Sequence, residues 1–221
     1  MRPQAPEAAC DPVAILAPAI AALTGDPHTA AQLQRFQQYL DLLLAWNRTH
    51  RLTGIRSPEA IVRELFQGSL LFLARLPPGP LRMVDIGAGA GIPGVPLHIV
   101  RPEISLTLID SRRKPVSFLE SLKRELGLSG VEIIEGRAED VVDHRPDLSE
   151  GFEVAIARLV GVHLLPTAMR YLKPGGLFMA SGPPAHKAAT PPRGGTPARW
   201  ETVPFPALGI SRTFLLCHKP A

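Results

Sequence analysis

The residues best suited to chemistry sit in one short run, Val84-Asp85-Ile86-Gly87-Ala88-Gly89-Ala90-Gly91. The apolar stretch from Leu81 to Ile86 reads as a buried strand that passes through an acid and enters Gly87-x-Gly89-x-Gly91, with a helix expected from Pro93. Alternating glycines let a backbone turn sharply and approach a ligand with no Cβ in the way. Asp85 can accept a hydrogen bond from an ammonium group, directly or through water. Asp110 follows Thr107-Leu108-Ile109 at the end of the next strand, about 20 residues beyond the glycines, the spacing at which nucleoside-binding α/β folds place a carboxylate for ribose hydroxyls. After the third strand, Gly136-Arg137-Ala138-Glu139-Asp140 offers a further contact set beside an adenine, although a solvated, charged turn reads the same.

Two cofactors compete for this loop. Gly89-Ala90-Gly91-Ile92-Pro93-Gly94 is literally G-x-G-x-x-G, the dinucleotide signature of a dehydrogenase. In a dinucleotide site the first glycine closely follows the strand, whereas here the strand runs on into Asp85-Ile86-Gly87, and Pro93-Gly94 already belong to the helix. S-adenosylmethionine, a nucleoside with an ammonium group, suits the acid-then-glycine order better. A turn with no ligand is a poor reading, because three alternating glycines weaken a fold unless something approaches them closely.

The elements that must hold these residues follow from the rest of the pattern. Residues 12 to about 75 lack strand signals and read as helices. Leu33, Phe36, Leu40, Leu43 and Leu44 form an apolar stripe over Gln32 to Trp46, and a second helix opens near Ser57-Pro58-Glu59 and runs to Arg75. Pro77-Pro78-Gly79-Pro80 breaks the chain, dividing an N-terminal helical extension, 1–76, from a catalytic domain, 81–221. Beyond the break, strands are expected at 81–86, 105–110, 131–135, 152–157 and 176–181. Helices alternate with them at about 93–101, 113–127 and 162–172, with a short helical turn after Ala138. Residues 199–218 read as an antiparallel pair closing the sheet. The fold class is therefore α/β, Rossmann-like, with a mostly parallel sheet of seven strands and helices on both faces. The Pro/Gly-rich stretch 183–197 reads as a loop, either mobile or an ordered lid.

Composition adds limits. Of the 221 residues, 45% are hydrophobic, enough for one sizeable core, and the formal charge of +4 permits nucleic-acid contact without demanding it. Cys10 and Cys217 stand far apart and outside any zinc spacing, and the seven histidines, His98, His144 and His163 among them, are scattered, so no metal site is expected. No signal peptide and no run of about 20 apolar residues is evident, so a soluble cytoplasmic protein is expected.

Together these residues resemble the bacterial RsmG (GidB) family. The resemblance runs from about Leu40 to the C-terminus and is carried by Trp46-Asn47, Leu52-Thr53, the 84–97 run, Arg101-Pro102, Leu108-Ile109-Asp110-Ser111, Lys114, Phe118-Leu119, Arg137-Ala138-Glu139 and Ala157-Arg158. It implies a class I S-adenosylmethionine-dependent methyltransferase that modifies N7 of a guanine in the 530 loop of 16S ribosomal RNA. It also implies cofactor contacts from Gly87, Ile92, Ala138, Glu139 and Arg158, beside the Asp85, Gly89, Gly91 and Asp110 already singled out. Arg158 is also the expected catalytic residue, orienting the substrate near the methyl group. Without the family, a strand-end charge paired with Asp85 or Glu153 would be the preferred reading.

The chain departs from the family's pattern at several places. A His-x-x-Asp-Ser pattern is replaced by Leu65-Phe66-Gln67-Gly68-Ser69, so that only Ser69 survives; Pro115 replaces a basic residue, and Ser181-Gly182 a Lys-Gly pair. These changes spare the cofactor loop and fall on surfaces that could face RNA. The expected partner is 16S ribosomal RNA or the small ribosomal subunit, met by a monomer through Arg48-Thr49-His50-Arg51, Arg112-Arg113-Lys114 and Lys123-Arg124. Methylation of another RNA site or of a small molecule, and a cofactor-binding homologue that has lost catalysis, stay open beside this reading.

Overall fold

In a computed structural model of the chain, residues 11–158, 162–181 and 198–220 are described. Cys10, Gly182 and the 183–197 stretch lie outside them. A seven-stranded sheet runs β3-β2-β1-β4-β5-β7-β6. The strands are β1 (Arg82–Ile86), β2 (Ser105–Asp110), β3 (Val131–Glu135), β4 (Phe152–Arg158), β5 (Leu172–Ser181), β6 (Ala198–Phe205) and β7 (Ile210–His218). β1 to β5 pair in parallel, and β7 lies antiparallel between β5 and β6. The expected closing pair is thus present, with its second strand inserted beside β5.

Helices cover both faces. Against one face pack α1 (Leu16–Thr24), α2 (Ala30–His50), α3 (Gly94–Val100) and α4 (Arg113–Leu126), sharing a core with Met83, Leu106, Leu108, Ile156, Met179 and Phe214. The opposite face holds α5 (Ala138–His144) and α6 (Leu165–Tyr171) over Val84, Ile109, Ala155, Phe178 and Leu215. Consecutive strand residues feed opposite cores because side chains alternate across a sheet, and both faces are covered as parallel strands require.

Local chemistry fixes the ends of these helices. α2 opens on a capping box in which the Thr29 hydroxyl accepts from the Gln32 N–H while the Gln32 side chain accepts from the Thr29 N–H. It closes at Arg51, in the left-handed region at φ 50°. α4 buries Phe118, Leu119, Leu122 and Leu126 along one stripe and ends at Gly127, also left-handed.

The helix expected from Ser57 to Arg75 forms over that span, but not with one pitch. After the Ser57-capped turn Pro58–Ala60, the chain widens into π-helical turns over Ile61–Gln67, returns to α geometry at Gly68–Leu70 and tightens to 3-10 over Leu71–Arg75. The cause lies in packing. Apart from Arg63 and Glu64, every residue from Ile61 to Leu73 is buried, so the helix is packed on nearly every side. Ser69 adds a hydroxyl bonded back to the Leu65 carbonyl, which competes with the helical ladder.

Candidate active site

Strand order reverses between β1 and β4, and the carboxyl ends flanking this switch point form the rim where ligands of open α/β sheets bind. The glycine loop leaves β1 here. The Gly87 and Ala88 N–H groups both donate to the Ile109 carbonyl, at 2.8 and 3.0 Å, tying the loop to the end of β2. Gly87, Gly89 and Gly91 all have positive φ (77°, 57° and 84°), so each turn needs glycine, but their surroundings differ. A Cβ on Gly87 would meet nothing within 4 Å, and one on Gly89 would find only the Arg112 guanidinium and the Gly87 carbonyl. Those two glycines present bare backbone to the rim. Gly91 faces inward, where a Cβ would lie 2.8 Å from Val95, 2.9 Å from the Tyr39 hydroxyl and 3.1 Å from Leu119. Ile92 is likewise buried in the core on the inner side of the loop.

Asp85 is completely buried. Its Oδ2 accepts from the Gly94 N–H at 2.8 Å, and a Cβ on Gly94 would stand 2.8 Å from the same oxygen. The fourth glycine therefore lets the carboxylate reach the first amide of α3. Oδ1 of Asp85 is buried with no partner. Burial, opposed by the Gly94 hydrogen bond and helped by the charge of Asp110, pushes its pKa up to about 7.

Asp110 is buried as well, and its oxygens are engaged. Oδ2 accepts from Gly89 N at 2.8 Å and Oδ1 from Arg112 N at 2.9 Å. The Arg112 guanidinium lies across both oxygens at 3.1 and 3.2 Å. The sequence reading gave this carboxylate to ribose alone; the structure shows that it also fastens the loop and carries an exposed arginine over its face. Gly136 N donates to the Asp110 carbonyl at 3.0 Å, bringing the start of α5 to the same rim. There Ala138 is buried, its carbonyl accepting from the Tyr171 hydroxyl at 2.6 Å, and Glu139 is part-exposed and loosely paired with Arg137 at 3.8 Å.

Arg158, the last residue of β4, pairs with neither Asp85 nor Glu153. Its Nη2 donates to the Glu64 carbonyl at 3.2 Å, in the π-helical turns. Glu153 instead holds Lys173 and the Arg82 amide at the far end of the strand. Arg158 is part-buried, and burial, with Arg212 nearby, pushes its pKa down from the ordinary guanidinium value. Of the basic clusters, Arg113 and Lys114 are exposed, Arg112 is committed to Asp110, and Arg48 and Arg51 join Arg56, Asn47 and Thr53 around an open cleft of about 760 Å³.

Two residues of the site escaped sequence reasoning. Tyr39, on α2, is buried and donates its hydroxyl to the Ala90 carbonyl, bracing the glycine loop from beneath; stacked against Phe66 at 4.6 Å, it looks like ordinary core. The i, i+3, i+7 spacing of Phe36, Tyr39 and Leu43 was the available signal. Arg212, on β7, had none.

The strand order, the reversed seventh strand and the acid-bearing glycine loop at the switch point define a Rossmann-like fold of the class I methyltransferase type. Among solved structures, a methyltransferase from Pyrococcus furiosus superposes with a TM-score of 0.56 over 85% of this chain and 99% of its own, at 14% identity. The cyclase SpnF reaches the same TM-score over 86% of this chain and 96% of its own, at 18% identity. At such identities the likeness is one of fold, and the cyclase shows that the fold does not fix the reaction. The profile of the GidB family, described as rRNA small subunit methyltransferase G, matches residues 32–184, and the chain belongs to that family. The ribosomal RNA small subunit methyltransferase G of Desulfitobacterium hafniense is 40% identical over 163 residues, covering 72% of this chain and 64% of that protein. The alignments span just under two thirds of the length of such relatives. Among the described residues, no helix is long and apolar enough to cross a membrane.

Proposed function

We propose that this chain transfers the methyl group of S-adenosylmethionine to N7 of a guanine in the 530 loop of 16S ribosomal RNA, as a cytoplasmic monomer acting on the RNA or the small subunit. The observation that carries the cofactor is Asp85, whose buried Oδ1 lacks a partner beneath the glycine loop, beside which a nucleoside with an ammonium group would lie. Bound there, the cofactor supplies a methyl group activated on a sulfonium. Asp85 answers the ammonium group, directly or through water, and Asp110 answers the ribose hydroxyls once Arg112 swings aside. Gly87 and Gly89 admit the ligand to bare backbone, Gly91 and Ile92 hold the loop from its inner side, and Ala138 and Glu139 border the adenine.

Guanine N7 has an exposed lone pair and no proton, so the transfer needs no general base. The work left to the chain is alignment and exclusion of water, which at best is worth ~7–11 kcal/mol. Arg158, at the end of β4 beside the switch point, is the residue that orients the substrate near the methyl group. Family membership and the 40% identity to a protein named for small-subunit rRNA support the RNA substrate.

The test is incubation with methyl-labelled cofactor and either purified 16S RNA or small subunits lacking the modification, followed by chemical cleavage at N7-methylguanine. Label at one guanine of the 530 loop is expected. Label elsewhere, or only in a small molecule, overturns the substrate, and preferred binding of NAD overturns the cofactor.

A further inference from the structure

Arg158 does not stand alone on its side of the rim. In the β5–β7 ladder Ser181 faces Phe214, so Arg212 lies two residues beyond the carboxyl end of β5, at the end of the sheet where Arg158 closes β4 opposite Ser181. Strand alternation puts Arg212 on the side of Phe214, and Arg158 on the side of Ile156, both in the core under the 58–75 segment. The two guanidiniums thus converge beneath Glu64 and Gly68. Arg158 donates to the Glu64 carbonyl, and the Nη2 of Arg212 lies 2.7 Å from where a Cβ of residue 68 would be. With glycine at 68, the second guanidinium has room to enter.

The convergence lacks a close ion pair. Arg75, Arg101, Arg112, Arg145 and Arg170 each hold a carboxylate within 4.0 Å. Among the described residues no carboxylate lies that close to Arg158 or Arg212, and the Nε of Arg212 is buried with no hydrogen-bond partner. Glu64 is near enough for its charge to be felt by both arginines, which are nonetheless pushed down in pKa, chiefly by burial. Arginine does not shed its proton in response, so two part-buried positive charges stand together, open to an anion.

We propose that Arg158 and Arg212, with glycine at position 68, form a two-guanidinium phosphate notch that grips a backbone phosphodiester of the substrate next to the base presented for methylation. The notch rests on the reading of the chain as an RNA methyltransferase for the source of the phosphate, though not for its chemistry. Guanidinium forks match phosphate oxygens two at a time, which fixes direction as well as position. Arg212 is then a substrate-positioning residue, distinct from the carboxylates that face the cofactor.

Two measurements on the full chain separate the notch from its source. First, the melting temperature is followed as inorganic phosphate replaces chloride at constant ionic strength. A rise is expected for the wild type and its loss in Arg212→Gln and Gly68→Asp, the latter placing a permanent carboxylate against the guanidinium. No rise, or an equal rise in all three, overturns the notch. Second, fluorescence anisotropy follows binding of a labelled 530-loop hairpin across a salt series. Arg212→Gln should weaken binding at least fivefold and lower the slope of log K against log salt by about one, with Arg212→Lys restoring the slope. S-adenosylmethionine affinity by calorimetry should stay within twofold. Loss of cofactor rather than RNA affinity in Arg212→Gln would assign the pair to the cofactor's carboxylate and overturn the proposal. A phosphate response in a wild type that binds no RNA would retain the anion site and sink the RNA reading instead.

Discussion

The two sides of the rim are built in opposite ways. On the β1–β2 side, carboxylates lie behind a glycine loop, and Asp85, Gly87, Gly89, Gly91, Gly94 and Asp110 come from one βαβ unit. On the β4–β7 side, guanidiniums face a segment with π-helical turns, and Glu64, Gly68, Arg158 and Arg212 come from three distant parts of the chain. On the function proposed, one side receives a cationic nucleoside and the other an anionic polymer. An enzyme that joins two ligands of opposite charge gains when each is repelled from the other's place, because specificity is a difference in affinities.

The most severe way to break this division is Arg158→Met. Methyl transfer to small-subunit RNA should fall about 100-fold or more, as when a preorganised charged donor is removed from an active site, while calorimetry shows less than a tenfold change in cofactor affinity. An equal loss of both would merge the two sides.

Next in size, Asp85→Asn should weaken S-adenosylmethionine binding by ~10–100-fold, the worth of a charge-assisted contact, and leave the salt dependence of RNA binding intact. The same variant carries a pH signature. Burial holds Asp85 protonated in the folded chain up to about pH 7, whereas the unfolded chain ionises it near its ordinary value of 3.8. The unfolded state therefore binds fewer protons across that window, and the contribution of Asp85 to stability is greatest below about pH 4 and falls as pH rises to about 7. Cofactor affinity should move the other way, climbing to about pH 7 because an ammonium favours the ionised acid. Melting temperatures and titrations between pH 5 and 8 should show both trends in the wild type and neither in Asp85→Asn.

Within the glycine loop, Gly91→Ala should cost about 3 kcal/mol of stability, because a positive φ and three close contacts at 2.8–3.1 Å oppose it. Gly87→Ala meets the backbone strain alone and should cost about 1–2 kcal/mol, with a larger share of its effect on cofactor binding. Urea denaturation of the two variants decides whether the loop has the inner and outer sides described. The smallest effect is expected for Arg112→Ala. Freeing Asp110 from a mostly exposed guanidinium should tighten cofactor binding about two- to fivefold, and weaker binding would mean that Arg112 holds the ligand instead of covering its place.

What the sequence by itself determined is everything the chain builds from neighbours. The glycine loop, the acids at the ends of β1 and β2, the alternation of strand and helix and the antiparallel ending are short-range patterns, because turn chemistry, strand period and capping act within a few residues. Tertiary structure alone decided the rest. It packed Gly91 against Val95, Tyr39 and Leu119 and Gly94 against Asp85, set Tyr39 under the loop, placed Arg112 across Asp110 and varied the pitch of the helix at 58–75, which is buried on nearly every side. It also brought Arg212 to Arg158. A guanidinium at residue 212 and a missing side chain at residue 68 carry no joint meaning until β7 inserts beside β5, and only then does a glycine in a helical segment become room for a charge.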